Sequence, residues 1–212
     1  SGAVGMGMGK LSLRKRPDEL SLKQAAAAVG QCELMYTYDK LFSEHNHTVA
    51  QILLTAQDIN DSERRQNFIS TMLRLLELGA LPIINENDTV ATSELVIGDN
   101  DTLAALTATL WNADLMIILS DIDGVFDSDP KSNSNAKLIE TVGNAEKLFG
   151  SIDIGGTSSF GTGGISSKIE AAAKVNQYGI PMILLNGKKN DIIRNCITGT
   201  SKGTLFTGRI EK

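Results

Sequence analysis

Apolar residues recur at three- and four-residue steps from Leu22 to Phe42, in LKQAAAAVGQCELMYTYDKLF. With so much alanine and leucine, this spacing predicts one helix, or two short ones around Gly30. The next stretch, TVAQILLT from Thr48 to Thr55, is short, apolar and β-branched, as a strand buried on both faces would be. A helix from about Ser62 to Leu78 should follow and stop at Gly79, a residue suited to the left-handed turn after a helix. The alternation then continues with strand ALPIIN, loop ENDTVATSELVIGDN, helix DTLAALTATLWN and strand ADLMIILS. Helix SKIEAAAKVNQYG and strand IPMILLNG come later. Two polar or glycine-rich stretches read as loops: SGAVGMG at the start, and DSDPKSNSN from Asp127 to Asn135.

Strands alternating with helices predict an α/β fold with a largely parallel sheet. In such folds ligands bind where loops leave the carboxyl ends of the strands. The polar loops directly after the apolar runs are therefore where chemistry should be sought.

Composition narrows the function. The 212 residues are 42% hydrophobic and 21% charged, enough for a globular core, and one domain is the simplest expectation. A formal net charge of -5 and a pI near 5.1 leave no basic surplus for a nucleic-acid backbone or an anionic membrane. No apolar run approaches the roughly 20 residues needed to cross a bilayer, and no signal-peptide pattern opens the chain, so a cytoplasmic protein is expected. Cys32 and Cys196 form no CxxC pair and are expected to be small buried hydrophobes. His45 and His47, in EHNHT between a helix and a strand, are expected on an exposed loop.

Three constellations could carry chemistry. The first is INENDTVA, where Asn85, Glu86, Asn87 and Asp88 crowd the exit of an apolar strand, followed by Asp99, Asn100 and Asp101 in GDND. Clustered carboxylates repel one another unless a cation, an ammonium group or hydrogen-bond donors compensate. Asn100 or Asp101 could instead cap the helix starting near Thr102, although capping cannot account for both clusters. The second is SDIDG, Ser120 to Gly124, a hydroxyl, two carboxylates and a glycine directly after the strand LMIIL; Asp-x-Asp-Gly also makes ordinary turns. The third is FGTGGISSK, Phe160 to Lys168, which runs into an alanine-rich helix. Glycines permit close backbone approach, and a helix start offers free amides and a positive dipole end to phosphate. Lys168 lies just inside that helix, where an ammonium could neutralise charge during phosphoryl transfer.

This is not a Walker A loop, which needs glycine directly before the lysine, and VGMGMGK near the start fits no nucleotide-loop pattern either. Nor is there a GxGxxG after a first strand, as a nicotinamide oxidoreductase would need.

Taken together, SGAVGMG, AAVGQ, QILLT followed by Asp58, LPIINENDTVA, GDNDTLAAL, ILSDIDGVFDSDP, GTGGISSK and GTLF resemble the glutamate 5-kinases in identity and order, almost from end to end. INEND, then GDND, then GTGGxxxK separates that group from the carbamate, aspartate and nucleotide kinases of the same superfamily. The resemblance implies a three-layer α/β/α sandwich with a central, mainly parallel sheet. It implies that Ser1, Asp88 and Asn100 contact L-glutamate, with Asn85 and Asn87 nearby. It implies that Ser120, Asp121, Thr162, Gly163, Gly164, Ile165, Ser166, Ser167 and Lys168 bind ATP, with the 127–130 segment bordering the nucleotide. Lys168 would stabilise the transferring phosphoryl group and Asp101 would orient lysine side chains. Mg2+ would arrive through the ATP phosphates and not on a protein metal site. The implied partners are L-glutamate and ATP, L-proline as a feedback inhibitor, and further copies of the chain in a dimer or tetramer.

The family begins with a strand bearing a VKxG-type segment, so residues 1–212 are expected to be an amino-acid kinase domain without its N-terminal strand–helix–strand portion. No RNA-modification-type domain is expected after GTLF. Two other readings stay open at this point. One is a kinase of another small carboxylate or of carbamate, because a fold does not fix a substrate. The other is a non-catalytic nucleotide or amino-acid binding module.

Overall fold

A computed structural model describes residues 2–91, 97–130, 132–149 and 164–208. The chain divides into two compact units, Ser1–Asn100 and Asp101–Lys212.

The first unit opens with a helix where the sequence reads as a loop: α1 spans Ala3–Lys10. The physical reason lies in its partner, the single long helix α2, Leu20–Ser43. A Cβ on Gly7 would sit 1.7 Å from the Ala26 carbonyl oxygen, and one on Gly30 1.7 Å from that of Ala3. The two backbones touch, which only glycine allows. Glycine inside a helix costs about 1 kcal/mol relative to alanine, and here the close packing of Val4, Ala26 and Ala27 offsets that cost.

Strand β1, Thr48–Leu54, is followed by the short helix α3, Ala56–Asn60. A reciprocal cap starts α3: the Thr55 hydroxyl accepts from the Asp58 amide, and the Asp58 carboxylate accepts from the Thr55 amide at 2.7 Å. Helix α4, Ser62–Glu77, begins on Asp61, whose carboxylate accepts from the Arg64 amide at 2.9 Å. It is followed by Gly79 at φ 72°, as expected. Strand β2, Ala80–Glu86, pairs in parallel with β1 from Thr48↔Ala80 to Leu54↔Glu86, so both strands end at one level. Thr48 and Gln51 of β1 are exposed, contrary to the expectation of burial on both faces. Cys32 is exposed as well, because α2 turns Ala26, Ala27, Gly30 and Gln31 inward and leaves the next position outward.

Helix α5, Asn100–Trp111, carries the boundary between the units after its first residue. The second unit holds strands β3 (Met116–Ser120), β4 (Thr141–Val142), β5 (Met182–Asn186) and β6 (Thr204–Phe206) in the order β3-β5-β6-β4. The β3–β5 and β4–β6 pairs are parallel and β5–β6 is antiparallel. Its helices are α6 (Ala145–Phe149), α7 (Ile165–Asn176) and α8 (Ile192–Ile197). Ala105 and Ala108 of α5 join Ile118, Val175, Leu184 and Phe206 in one buried cluster, so helix and sheet faces share a core. Cys196, in α8, is half-buried and not the buried hydrophobe expected; a six-residue helix presents too little face to cover it. His45 and His47 lie in the exposed turn after α2, as expected.

Candidate active site

The shared register of β1 and β2 delivers the acidic loop to the carboxyl end of a parallel pair. Asn85, 2% exposed, cannot reach water, and an unpaired amide at such depth would cost about 1–3 kcal/mol. Its Nδ2 donates to Gln31 Oε1 at 2.8 Å, and its Oδ1 accepts from Asn100 Nδ2 at 3.3 Å. Gln31 Nε2 in turn donates to Gln51 Oε1 at 3.1 Å. Four side-chain amides thus stand in series, joined by three hydrogen bonds that all run in the same sense and end on Gln51.

Glu86 is also buried, with its carboxylate accepting from the Ile97 amide at 2.8 Å. Burial pushes the pKa of this carboxyl above the usual range; the Ile97 amide opposes the shift, and the neighbouring Asp88 charge adds to it. Asp88 is half-buried, and Asn87 Oδ1 accepts from the Thr89 hydroxyl. Gln24 Nε2 donates to the Ala91 carbonyl at 3.1 Å and ties down the far side of the same turn.

In the second unit the decisive feature is an ion pair. Lys168 Nζ lies 3.0 Å from Asp101 Oδ2, with side chains only 10% and 18% exposed. Ser167 Oγ lies 2.9 Å from the same carboxylate oxygen and 2.9 Å from the Gly164 carbonyl. A buried ammonium is tolerated only when paired in this way. Gly164 precedes the first residue of α7 in an extended conformation and places no side chain over the first amides of the helix. That start therefore combines a cation with a positive dipole end.

At the exit of β3, Ser120 lies opposite Asn186 of β5, and its carbonyl accepts from the Gly187 amide at 2.8 Å. Asp121 is exposed, and its carboxylate accepts from the Ser120 hydroxyl at 3.3 Å. Asp123 is held by Lys189 Nζ at 2.6 Å and by Asn186 Nδ2 at 2.9 Å, which together keep its carboxyl below the usual range. Gly124, the last member of SDIDG, serves the packing of the sheet: at φ 149°, a Cβ there would meet Thr204 Oγ1 at 2.6 Å. The loop that begins at Asp127 is tied back on itself, with Asp127 Oδ1 accepting from the Lys137 amide at 2.9 Å.

The description "amino acid kinase family" belongs to the family model that matches residues 1–186. A glutamate 5-kinase of Alkaliphilus metalliredigens is 50% identical over 206 residues, which cover 97% of this chain and 78% of that protein. The chain belongs to the glutamate 5-kinase family. A second glutamate 5-kinase, from Alkaliphilus oremlandii, is 48% identical over 206 residues, with 97% and 78% covered. The isopentenyl phosphate kinase of T. acidophilum, solved as a product complex, has a TM-score of 0.62 at 16% identity over 95% of this chain and 78% of that one. That likeness speaks for the fold alone, and the fold is the α/β kinase architecture expected from the sequence.

Among the residues expected to form a glutamate 5-kinase site, Asn85 and Asn100 are hydrogen-bonded to each other, with Asn87 and Asp88 in the same strand exit. Gly164, Ile165, Ser166, Ser167 and Lys168 form the entry and first turn of α7, and Asp101 joins them through Lys168. Ser120 and Asp121 lie together at the end of β3. Ser1, Thr162 and Gly163 lie outside the described residues. Sequence reasoning met Gln31 only as the last residue of AAVGQ, with no role assigned, and missed Gln24 and the buried state of Glu86. Their roles depend on contacts such as Asn85–Gln31, 54 residues apart, which no local pattern announces. Among the described residues no helix is long and apolar enough to cross a membrane, and no group of three His, Cys, Asp or Glu is arranged to hold a metal ion.

Proposed function

We propose that this chain transfers the γ-phosphoryl group of ATP to the side-chain carboxylate of L-glutamate, giving L-glutamate 5-phosphate, the first intermediate toward proline. The observation that carries the reading is the buried Lys168–Asp101 pair at the start of α7, in a chain half identical to a glutamate 5-kinase.

The acceptor carboxylate is ionised near neutral pH and needs no strong base. Its oxygen attacks the γ-phosphorus in line while the bond to the β–γ bridging oxygen breaks, and ADP leaves. Catalysis is then alignment and charge neutralisation. Lys168 would meet the negative charge gathering on the transferring group, with Asp101 and Ser167 fixing its direction. The open start of α7 and the Ser120–Asp121 exit of β3 would receive the nucleotide phosphates. Asp88 would pair with the α-ammonium of glutamate, and Asn100, held from behind by Asn85, would complete its polar surroundings. Mg2+ would enter with ATP, taking its ligands chiefly from phosphate oxygens and water, because Asp101 Oδ2 is already engaged by Lys168 and Ser167. Inhibition by L-proline, a homo-oligomeric state and a cytoplasmic location belong to the same reading through the family.

The test is an acceptor panel. Purified protein should release ADP from Mg-ATP when L-glutamate is supplied. Faster turnover with aspartate, carbamate or another small carboxylate would defeat the assignment of the substrate. Nucleotide binding without any turnover would favour a binding module instead.

A further inference from the structure

The proposed reaction makes no direct use of Gln31, yet this residue is 8% exposed and bonded through both ends of its amide. We infer that Gln31 is a positioning residue for the acceptor side of the site: it fixes the orientation of Asn85 and, through Asn85, that of Asn100. This inference rests on the reading that Asn100, backed by Asn85, faces the amino-acid substrate.

An asparagine amide has a donor end and an acceptor end of nearly equal shape, so its partners decide which way it points. Gln31 Oε1 takes a proton of Asn85 Nδ2, which turns Asn85 Oδ1 toward Asn100 Nδ2. Asn100, the exposed outer member of the series, then has an N–H directed inward and its carbonyl oxygen left to accept from a donor. An ammonium group is such a donor and a carboxylate is not. Reversing Asn85 would reverse Asn100 and present N–H groups to the ammonium.

Gln31 can impose this choice because its own backbone is immobilised. The adjacent Gly30 is pressed against α1, where a Cβ would come within 1.7 Å of the Ala3 carbonyl oxygen. Gln24, seven positions earlier on α2, holds Ala91 at the other end of the same turn. Helix α2 is therefore the rigid backing against which the acidic loop is set.

Steady-state kinetics of the full chain, read as ADP release, tests this with two near-isosteric variants. Q31M removes the acceptor for Asn85 and keeps the volume, whereas Q31E keeps the acceptor. Q31M should raise the KM for glutamate about tenfold, the worth of one buried hydrogen bond, and leave the KM for ATP within about twofold. Q31E should stay within about threefold of wild type in glutamate KM. A merely structural glutamine would lower the active fraction and the melting temperature while leaving both KM values in place. Equal rises in the two KM values, or a Q31E variant no better than Q31M, would overturn the inference. Should Q31M not fold, Q31N withdraws the acceptor by one methylene and gives the same readout. A wild type without glutamate-dependent turnover defeats the functional reading and this inference together; an active wild type with an unmoved glutamate KM in Q31M defeats the inference alone.

Discussion

The two units hold their polar groups by opposite means. In the first, orientation is set by neutral amides in series, from Asn100 through Asn85 and Gln31 to Gln51. In the second, it is set by one charged pair, Lys168 with Asp101, seconded by the Ser167 hydroxyl. A neutral relay fixes direction without imposing a field, which suits recognition of a substrate that carries both signs of charge. A buried pair concentrates field where a transferring phosphoryl group would need it, and it cannot lose one member without leaving the other charge exposed to a low dielectric. On the proposed reading recognition and catalysis call for different bonding, and the two kinds of bonding lie in separate units.

The sharpest way to break this contrast is Lys168→Met. Loss of the cation should lower kcat about a thousandfold, an effect of about 4 kcal/mol, and should also lower the melting temperature because Asp101 is left unpaired. A double variant with Asp101→Asn should recover the melting temperature but not kcat. Recovery of kcat, measured as ADP release, would mean that the pair is only structural.

Gly30→Ala attacks the frame behind the amide relay. The new methyl would meet backbone, which cannot swing aside, so a loss of about 3 kcal/mol is expected, seen as a fall of several degrees in thermal melting. An unchanged melting temperature would mean that α1 and α2 can separate without consequence.

Glu86→Gln gives the smallest effect and separates charge from shape. The folded-state pKa of Glu86 is raised, so stability is lost as the pH rises from the ordinary glutamate value through that raised pKa, above which the penalty is complete. Below the ordinary glutamate value the side chain is protonated in both states and the penalty vanishes. The Gln variant should therefore melt about 2 °C higher than wild type at neutral pH and no higher at about pH 4, with the gain growing across the window between the two pKa values. Asp123 titrates with the opposite sign: held low by Lys189 and Asn186, it adds stability above the ordinary aspartate value and loses it as the pH falls through its lowered one. A gain from Glu86→Gln that stays constant with pH would show that packing, not charge, is responsible.

How much of this was legible in the sequence follows the reach of each signal. The helices around Ala26 and Arg65, the strands ending at Glu86 and Ser120, and the turn at Gly79 all announce themselves within a window of about a dozen residues. Asp101 and Lys168 could be singled out because each lies in a dense local motif. Helix α1 could not, since its glycines read as a loop until Ala26 and Gly30 are brought against them. The short elements α3, α6, α8, β4 and β6 hold too few residues for a period to show. Gln31 closes the AAVGQ segment that carries part of the family resemblance, but its role shows only in its contact with Asn85.

The strand order of the second unit bears on how the chain matures as it is made. Strand β6 sits between β5 and β4, and the buried Thr204 hydroxyl donates to the Ile139 carbonyl, 65 residues upstream, while accepting from the Val125 amide. Translation delivers β4 long before its pairing edge exists, so a ribosome must hold the sheet unfinished until almost the whole second half has emerged. Stalling or premature termination in that interval would release a chain with a gap at the centre of its sheet, a target for chaperones and proteases.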